Sequence, residues 1–222
     1  MTRSGLARHL KICPKRLEAQ AAATAATATA KRRGQTLYHL QVQDAYDGYF
    51  WLQLEMRGDA TLYDLDYYLR AIWLECCGHL SQFKIGSRRY TEIFEDGLGI
   101  GDEHSLDIAV EKLFMPGMEI PYEYDFGSTT ELIIKVMDRR RGQPTTPHPI
   151  VLMGRNKFEP PPCTECDEPA TYICTECTYA RDRYEFCDAH ARGHEHEEYL
   201  MALVNSPRTG VCGYSGPGLP PY

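Results

Sequence analysis

The chain has 222 residues, enough for one medium domain plus small modules, and its 43% hydrophobic content is sufficient for a packed core. No run of eighteen apolar residues occurs, so no membrane-spanning helix is expected. The N-terminus lacks the apolar core of a signal peptide, so the expected compartment is the cytoplasm, where thiols stay reduced and paired cysteines favour metal over disulfide. The net charge of −7 is divided unevenly: residues 1–36 carry eight Lys/Arg against Glu18 alone, leaving sixteen against thirty in the remainder. Any nucleic-acid contact is therefore expected within 1–36 only.

Residues 2–13, TRSGLARHLKIC, space Leu6, His9 and Cys13 as the helical half of a two-Cys two-His finger does. His9 and Cys13 are four apart and share a helix face, but the preceding Cys pair is missing, so they are weak metal candidates and a short basic helix is the simpler expectation. Arg3, Arg8, Lys11, Lys15 and Arg16 are the nucleic-acid candidates; in a finger, side chains near the helix start meet base edges. Residues 18–30 are nearly all Ala and Thr, which predicts a partly helical, mobile linker. Residues 1–35 are accordingly read as a tethered basic arm.

A main domain is expected over 36–158. Alternating residues around Leu40 and Leu54, separated by Asp47-Gly48, predict a β-hairpin. Thr61 and Asp64 resemble a capping box, and Leu62, Leu65, Leu69, Ile72 and Cys76 fall on one helix face that Gly78 ends. Cys76 and Cys77 are expected as small buried residues at this helix end. Residues 83–93 predict a second hairpin. The loop at 95–101, with Gly99 and Gly101, lacks the strand-to-helix frame of a dinucleotide site. Residues 105–113 predict a short helix, 118–126 and 131–136 two strands, and 150–153 one more. The order ββαββαββ predicts an α+β fold: a mostly antiparallel sheet with helices on one face.

The set Asp64-Leu65, Trp73, His79-Leu80, Phe83-x-Ile85-Gly86, Tyr90 and Tyr122-Glu123-Tyr124-Asp125-Phe126-Gly127 resembles the plasmid pRiA4b ORF-3-like family over residues 36–142. The resemblance implies an α+β domain found near plasmids and insertion elements, with no settled activity. After Gly127 the chain departs from the family pattern: Ser128, Thr129 and Thr130 stand where relatives carry an Asp, a Trp and a His.

The strongest signal lies in 159–222. Cys163-x-x-Cys166, Cys174-x-x-Cys177, Cys187-x-x-His190 and His194-x-His196 supply eight soft donors. Four Cys or His donors close a tetrahedral zinc site, so eight imply two structural zinc ions with no open position for a substrate water. The spacing resembles cross-braced modules of the B-box and ZZ kind. The order of the pairs favours interleaving: Cys163, Cys166, Cys187 and His190 on one ion, Cys174, Cys177, His194 and His196 on the other. Cys212 is a further weak candidate.

No G-x-S-x-G, H-E-x-x-H or phosphate-binding loop occurs, and Glu123 and Asp125 read most simply as a solvated strand face. Ten acids against three Arg between residues 163 and 198 would repel a phosphate backbone. The expectation is a non-catalytic, zinc-stabilised accessory protein of mobile-element type that meets a protein partner. The alternatives are nucleic-acid binding through the basic arm, or an enzyme of unknown reaction.

Overall fold

A computed structural model describes residues 2–28, 34–92, 103–180, 184–216 and 218–222. The loop expected at 95–101 and the cations at 31–33 lie outside the described residues. The chain divides into two compact units: residues 1–68, 80–156 and 222 form one, residues 69–79 and 157–221 the other. The architecture is α+β, with a mostly antiparallel eight-stranded sheet and few helices. Among the described residues no helix is long and apolar enough to cross a membrane.

The first unit is built on β1 (Gln35–Asp44), β2 (Trp51–Arg57), β3 (Ser81–Ile85), β4 (Arg88–Thr91), β5 (Glu103–Ser105), β6 (Glu119–Tyr124), β7 (Thr130–Gly142) and β8 (Ile150–Arg155). Their order in the sheet is β5-β4-β3-β6-β7-β1-β2-β8, antiparallel except for β4 with β5. Leu40 sits opposite Leu54 and Val136, and Val42 opposite Leu52 and Ile134. These six side chains are buried and form the apolar face. Asp44 closes the first hairpin: its carboxylate accepts from the N–H groups of Tyr46, Asp47 and Gly48 at 3.1 Å and of Phe50 at 3.0 Å.

The other face of β1 and β2 carries His39, Gln41, Gln53 and Glu55, and these are buried too. Strand alternation alone would leave this face to solvent; the basic arm covers it instead. The arm forms α1 (Arg3–Ile12) and α2 (Pro14–Ala28). Thr2 caps α1 through the Gly5 N–H, and Ala7 and Leu10 are buried. Leu6 reaches Gly154 on β8 so closely that a Cβ there would lie 2.5 Å from it. The Arg16 guanidinium donates to Glu55 at 2.8 Å, and Arg140 donates to the same carboxylate at 2.8 and 3.1 Å. The segment expected as a partly helical linker is helical through Ala28, and α1 with the start of α2 docks on the sheet, where Arg16 brings buried Glu55 a charge partner; beyond Arg16 most of α2 is exposed.

α3 (Leu62–Leu69) begins at the expected capping box. The Thr61 N–H donates to Asp64 at 2.7 Å, and the Asp64 N–H donates to Thr61 Oγ1 at 3.2 Å. Buried Asp66 accepts from Ser81 Oγ at 2.5 Å and from the Tyr122 hydroxyl at 2.7 Å, which ties α3 to β3 and β6. The helix expected at 105–113 is absent. Ser105 ends β5, and the only helical piece described in the segment is a single 3₁₀ turn, Val110–Lys112. The carbonyls of Leu106 and Ile108 instead accept from Tyr63 and Leu62 at 3.0 and 3.1 Å, serving the orphan N–H groups that open α3. Asp125 is no strand-face carboxylate either: it is buried past the end of β6, at φ 64°, and accepts from the N–H groups of Gly127 and Ser128. Glu123 accepts from Gln82 and Lys84.

The second unit begins where the helix widens into a π turn, Arg70–Leu74, with the Glu75 N–H donating to Arg70 at 2.9 Å. The extra residue per turn ends the helix before Cys76. Cys76 is therefore half-buried and Cys77 exposed, against the expectation that both are buried. A three-stranded sheet, β10-β9-β11, is made of β9 (Tyr172–Cys174), β10 (Glu185–Phe186) and β11 (Leu200–Ala202), with α4 (Cys177–Ala180) and α5 (Asp188–Ala191). Its core is Phe186, Ala191, Cys174 and Cys177, with Tyr172, Tyr184 and Leu200 against it. Strands of two and three residues around so small a core do not hold together by burial alone.

Candidate metal centres

Short elements aim the eight donors. Cys163 and Cys166 lie on the loop before β9, anchored by the Cys163 N–H on Glu168 at 2.8 Å and the Thr164 N–H on Glu185 at 2.7 Å. Cys187 is the N-cap of α5, and His190 stands one turn later. Cys174 ends β9 and Cys177 opens α4, with the Cys177 N–H 3.4 Å from Cys174 Sγ. His194 and His196 follow the Gly193 turn, and the His194 ring lies 4.3 Å from that of Phe186.

The donors converge as two interleaved sets, Cys163, Cys166, Cys187 and His190, and Cys174, Cys177, His194 and His196. Within each set the ligand atoms lie within 4.8 Å of one another. A tetrahedral ion with bonds of about 2.3 Å to sulfur and about 2.0 Å to nitrogen separates two sulfurs by about 3.8 Å, and a sulfur from a nitrogen by about 3.5 Å. In the first set the sulfurs of Cys166 and Cys187 are 3.9 Å apart, and His190 Nδ1 lies 3.5, 3.5 and 3.4 Å from Cys163, Cys166 and Cys187. In the second, Cys177 Sγ lies 3.5 Å from both His194 Nε2 and His196 Nδ1. Both sets have the dimensions of an ion's coordination shell and can hold one.

Electrostatics in the first set favour ionisation of two of its three thiols, Cys163 and Cys187. Burial opposes ionisation of Cys163, but the N–H groups of Cys187 and Glu165 and the His190 ring outweigh it and bring the thiol down to about 6. The His190 N–H likewise pulls Cys187 down, and the two thiols together push His190 up. The Glu168 N–H favours the Cys166 thiolate, but burial and the neighbouring thiols outweigh it and push Cys166 up. Thiolates this close need a compensating positive charge.

The weaker candidates fare differently. Among the described residues neither His9 nor Cys13 joins a set of three donors; Cys13 is the C-cap of α1 and His9 is exposed. Arg3 donates to Gly48 O at 3.3 Å and Arg16 to Glu55 and to Leu10 O, while Arg8, Lys11 and Lys15 are exposed. Cys212 converges with Cys76, Cys77 and His79 in a third four-donor set within the second unit. The sequence reading missed Cys76, Cys77 and His79 as donors. C-C-x-H was the only local signal, and its partner lies more than 130 residues away.

No curated protein matches the chain. A solved structure described as a protein of unknown function, MM3350, from Methanosarcina mazei Go1 is 15% identical, over 55% of this chain and 69% of that one, with a TM-score of 0.46. The family described as plasmid pRiA4b ORF-3-like protein matches residues 38–199, extending past the expected limit at 142 to include all eight paired donors. The chain belongs to the plasmid pRiA4b ORF-3-like family.

Proposed function

We propose that the two interleaved donor sets hold two structural zinc ions, and that the protein is a non-catalytic accessory protein of mobile-element type whose zinc-ordered unit meets a protein partner. The observation that carries this reading is closure: each set already supplies four Cys or His donors at tetrahedral spacing. A catalytic ion keeps one position for water or substrate. Zinc in reduced surroundings suits a mixed thiolate and imidazole shell.

The surface of the second unit supports the protein-partner reading. Tyr179 on α4 is 91% exposed, next to Glu176 and close in sequence to the ligand Cys177. Glu165, Asp167, Glu168, Glu197 and Glu198 are exposed as well. An exposed aromatic on a unit that also exposes several acids suits a basic protein segment with an apolar pocket. Nucleic-acid binding through the arm is a second reading, supported by the exposure of Arg8, Lys11 and Lys15.

The zinc test is elemental analysis of purified full-length protein, with Cys163→Ser and Cys174→Ser each lowering the zinc content by one ion per chain. Absence of zinc sinks the reading. For the partner, a photo-crosslinker at position 179 is expected to capture a protein in zinc-loaded cells and to lose it in Cys163→Ser. Captured nucleic acid, or salt-sensitive DNA binding abolished by Lys11→Glu with Lys15→Glu, would favour the second reading instead.

A further inference from the structure

Cys76, Cys77, His79 and Cys212 bring three thiols and one imidazole together, all within the second unit. The sulfurs of Cys76 and Cys77 are 3.7 Å apart, as are those of Cys77 and Cys212, and His79 Nε2 lies 3.4 Å from Cys212 Sγ. These are the edges of the tetrahedron that a soft divalent ion requires, about 3.8 Å between sulfurs and about 3.5 Å from sulfur to nitrogen. The remaining measured edge, Cys77 Sγ to His79 Nε2, is shorter at 2.9 Å.

Two features of the backbone serve this convergence. Gly78 stands at φ 79° between Cys77 and His79, a left-handed turn that folds His79 back toward the two thiols. Cys212 stands at φ 51°, and Asp125 is the only other described non-glycine residue with positive φ. A cysteine in that region is strained, and such strain persists where the surroundings fix it for a purpose. Gly210 and Gly213, at φ 79° and 70°, flank it.

A buried cation completes the surroundings. Arg208 is fully buried, and its guanidinium donates to Cys76 Sγ at 3.5 Å. Its N–H donates to Ser206 Oγ, which in turn donates to Trp73 O at 2.6 Å, so the segment carrying Arg208 is fastened beside the end of the π turn. Three thiolates around a divalent ion leave a net charge of −1, and a guanidinium against one sulfur offsets it, as outer-shell partners of metal ligands do.

We propose that Cys76, Cys77, His79 and Cys212 form a third metal centre, a three-thiolate, one-imidazole site for zinc or another soft divalent ion, with Arg208 as its charge-balancing neighbour. Binding releases the protons of those thiols that are protonated and involves no redox step. The ion ties residues 76–79 to the turn at Val211–Gly213. A disulfide would use two of the sulfurs and leave the third sulfur and His79 without a purpose. Cys212 lies beyond the residues matched by the family, so the family match does not by itself carry this site.

The site rests on its own donors and can be tested apart from the other two. Full-length protein is expressed with zinc, purified under reducing conditions, and its metal counted in wild type, Cys77→Ser and His79→Ala. Cys77 is exposed, so its replacement removes nothing from a core. The expected result is three ions in wild type and two in each variant, with Cys163 and Cys174 still protected from alkylation. Cobalt loaded in place of zinc should show tetrahedral thiolate bands that shrink by about a third in each variant. Two ions in wild type and in both variants would overturn the third centre and leave the paired-donor reading standing. Loss of metal from all three proteins would overturn both. A Cys77–Cys212 disulfide in protein purified without oxygen would overturn the third centre alone.

Discussion

His39 is buried on β1 with its Nε2 2.5 Å from Gln53 Oε1. Burial holds its pKa below the ordinary 6.5, against the pull of the Gln53 hydrogen bond. The folded state therefore binds fewer protons at this ring than the unfolded chain does. Its contribution is fully present above pH 6.5 and declines as pH falls from there toward the lowered folded value. Urea midpoints measured between pH 8 and 5 should fall with acid in wild type, and less steeply in His39→Gln. Thr61 offers a cleaner local measurement. Thr61→Ala removes half of the capping box and should cost about 1 kcal/mol without changing the urea dependence. Leu65 is completely buried inside α3, so Leu65→Ala should cost about 2–5 kcal/mol by equilibrium unfolding.

Among the elements, the arm departs furthest from the pattern of its sequence. Ala- and Thr-rich composition alone argues for a loose tether, yet α1 and α2 lie on the polar face of the sheet because Leu6, Ala7, Leu10 and Arg16 find partners there. Glu55 is the pivot: it is 7% exposed and shared between Arg16 and Arg140. Arg16→Ala leaves Glu55 one cation, so the penalty should be smaller than the roughly 3–5 kcal/mol of a fully broken buried pair. The arm should open: limited proteolysis of Arg16→Ala, and more so of Arg16→Ala with Leu10→Ser, should cut within residues 3–28 faster than in wild type. Equal cutting rates would mean that the helices hold by other means.

Across the whole molecule, the two units differ in what holds them. The first has an eight-stranded sheet with both faces of β1 buried; the second has strands of two and three residues and, among the described residues, three Cys/His groups able to hold a metal. If zinc binding is folding for the second unit, each site contributes on the order of 10 kcal/mol to it. Chelation should then raise hydrogen exchange across β9, β10 and β11 by orders of magnitude, while β1, β2 and β7 keep their protection. Loss of protection in β1 and β7 on chelation would refute metal-free folding of the first unit.

The strand pairs around Leu40 and Leu54, the capping box at Thr61 and Asp64, and the paired donors from Cys163 to His196 were all legible in the sequence, because each is a local pattern set by a period of two, a three-residue reach or a C-x-x-C turn. The family was legible too, through the motifs between Asp64 and Gly127. Three things were not. The 105–113 segment has helical spacing, but its carbonyls are taken by the N–H groups that open α3. The polar side of β1 and β2 looks solvated until α1 and α2 cover it. Cys76, Cys77 and His79 look like an unremarkable helix end until the π turn releases them and the left-handed turn at Cys212 meets them. In each case the deciding partner lies far away in sequence, and only tertiary structure brings it within bonding distance.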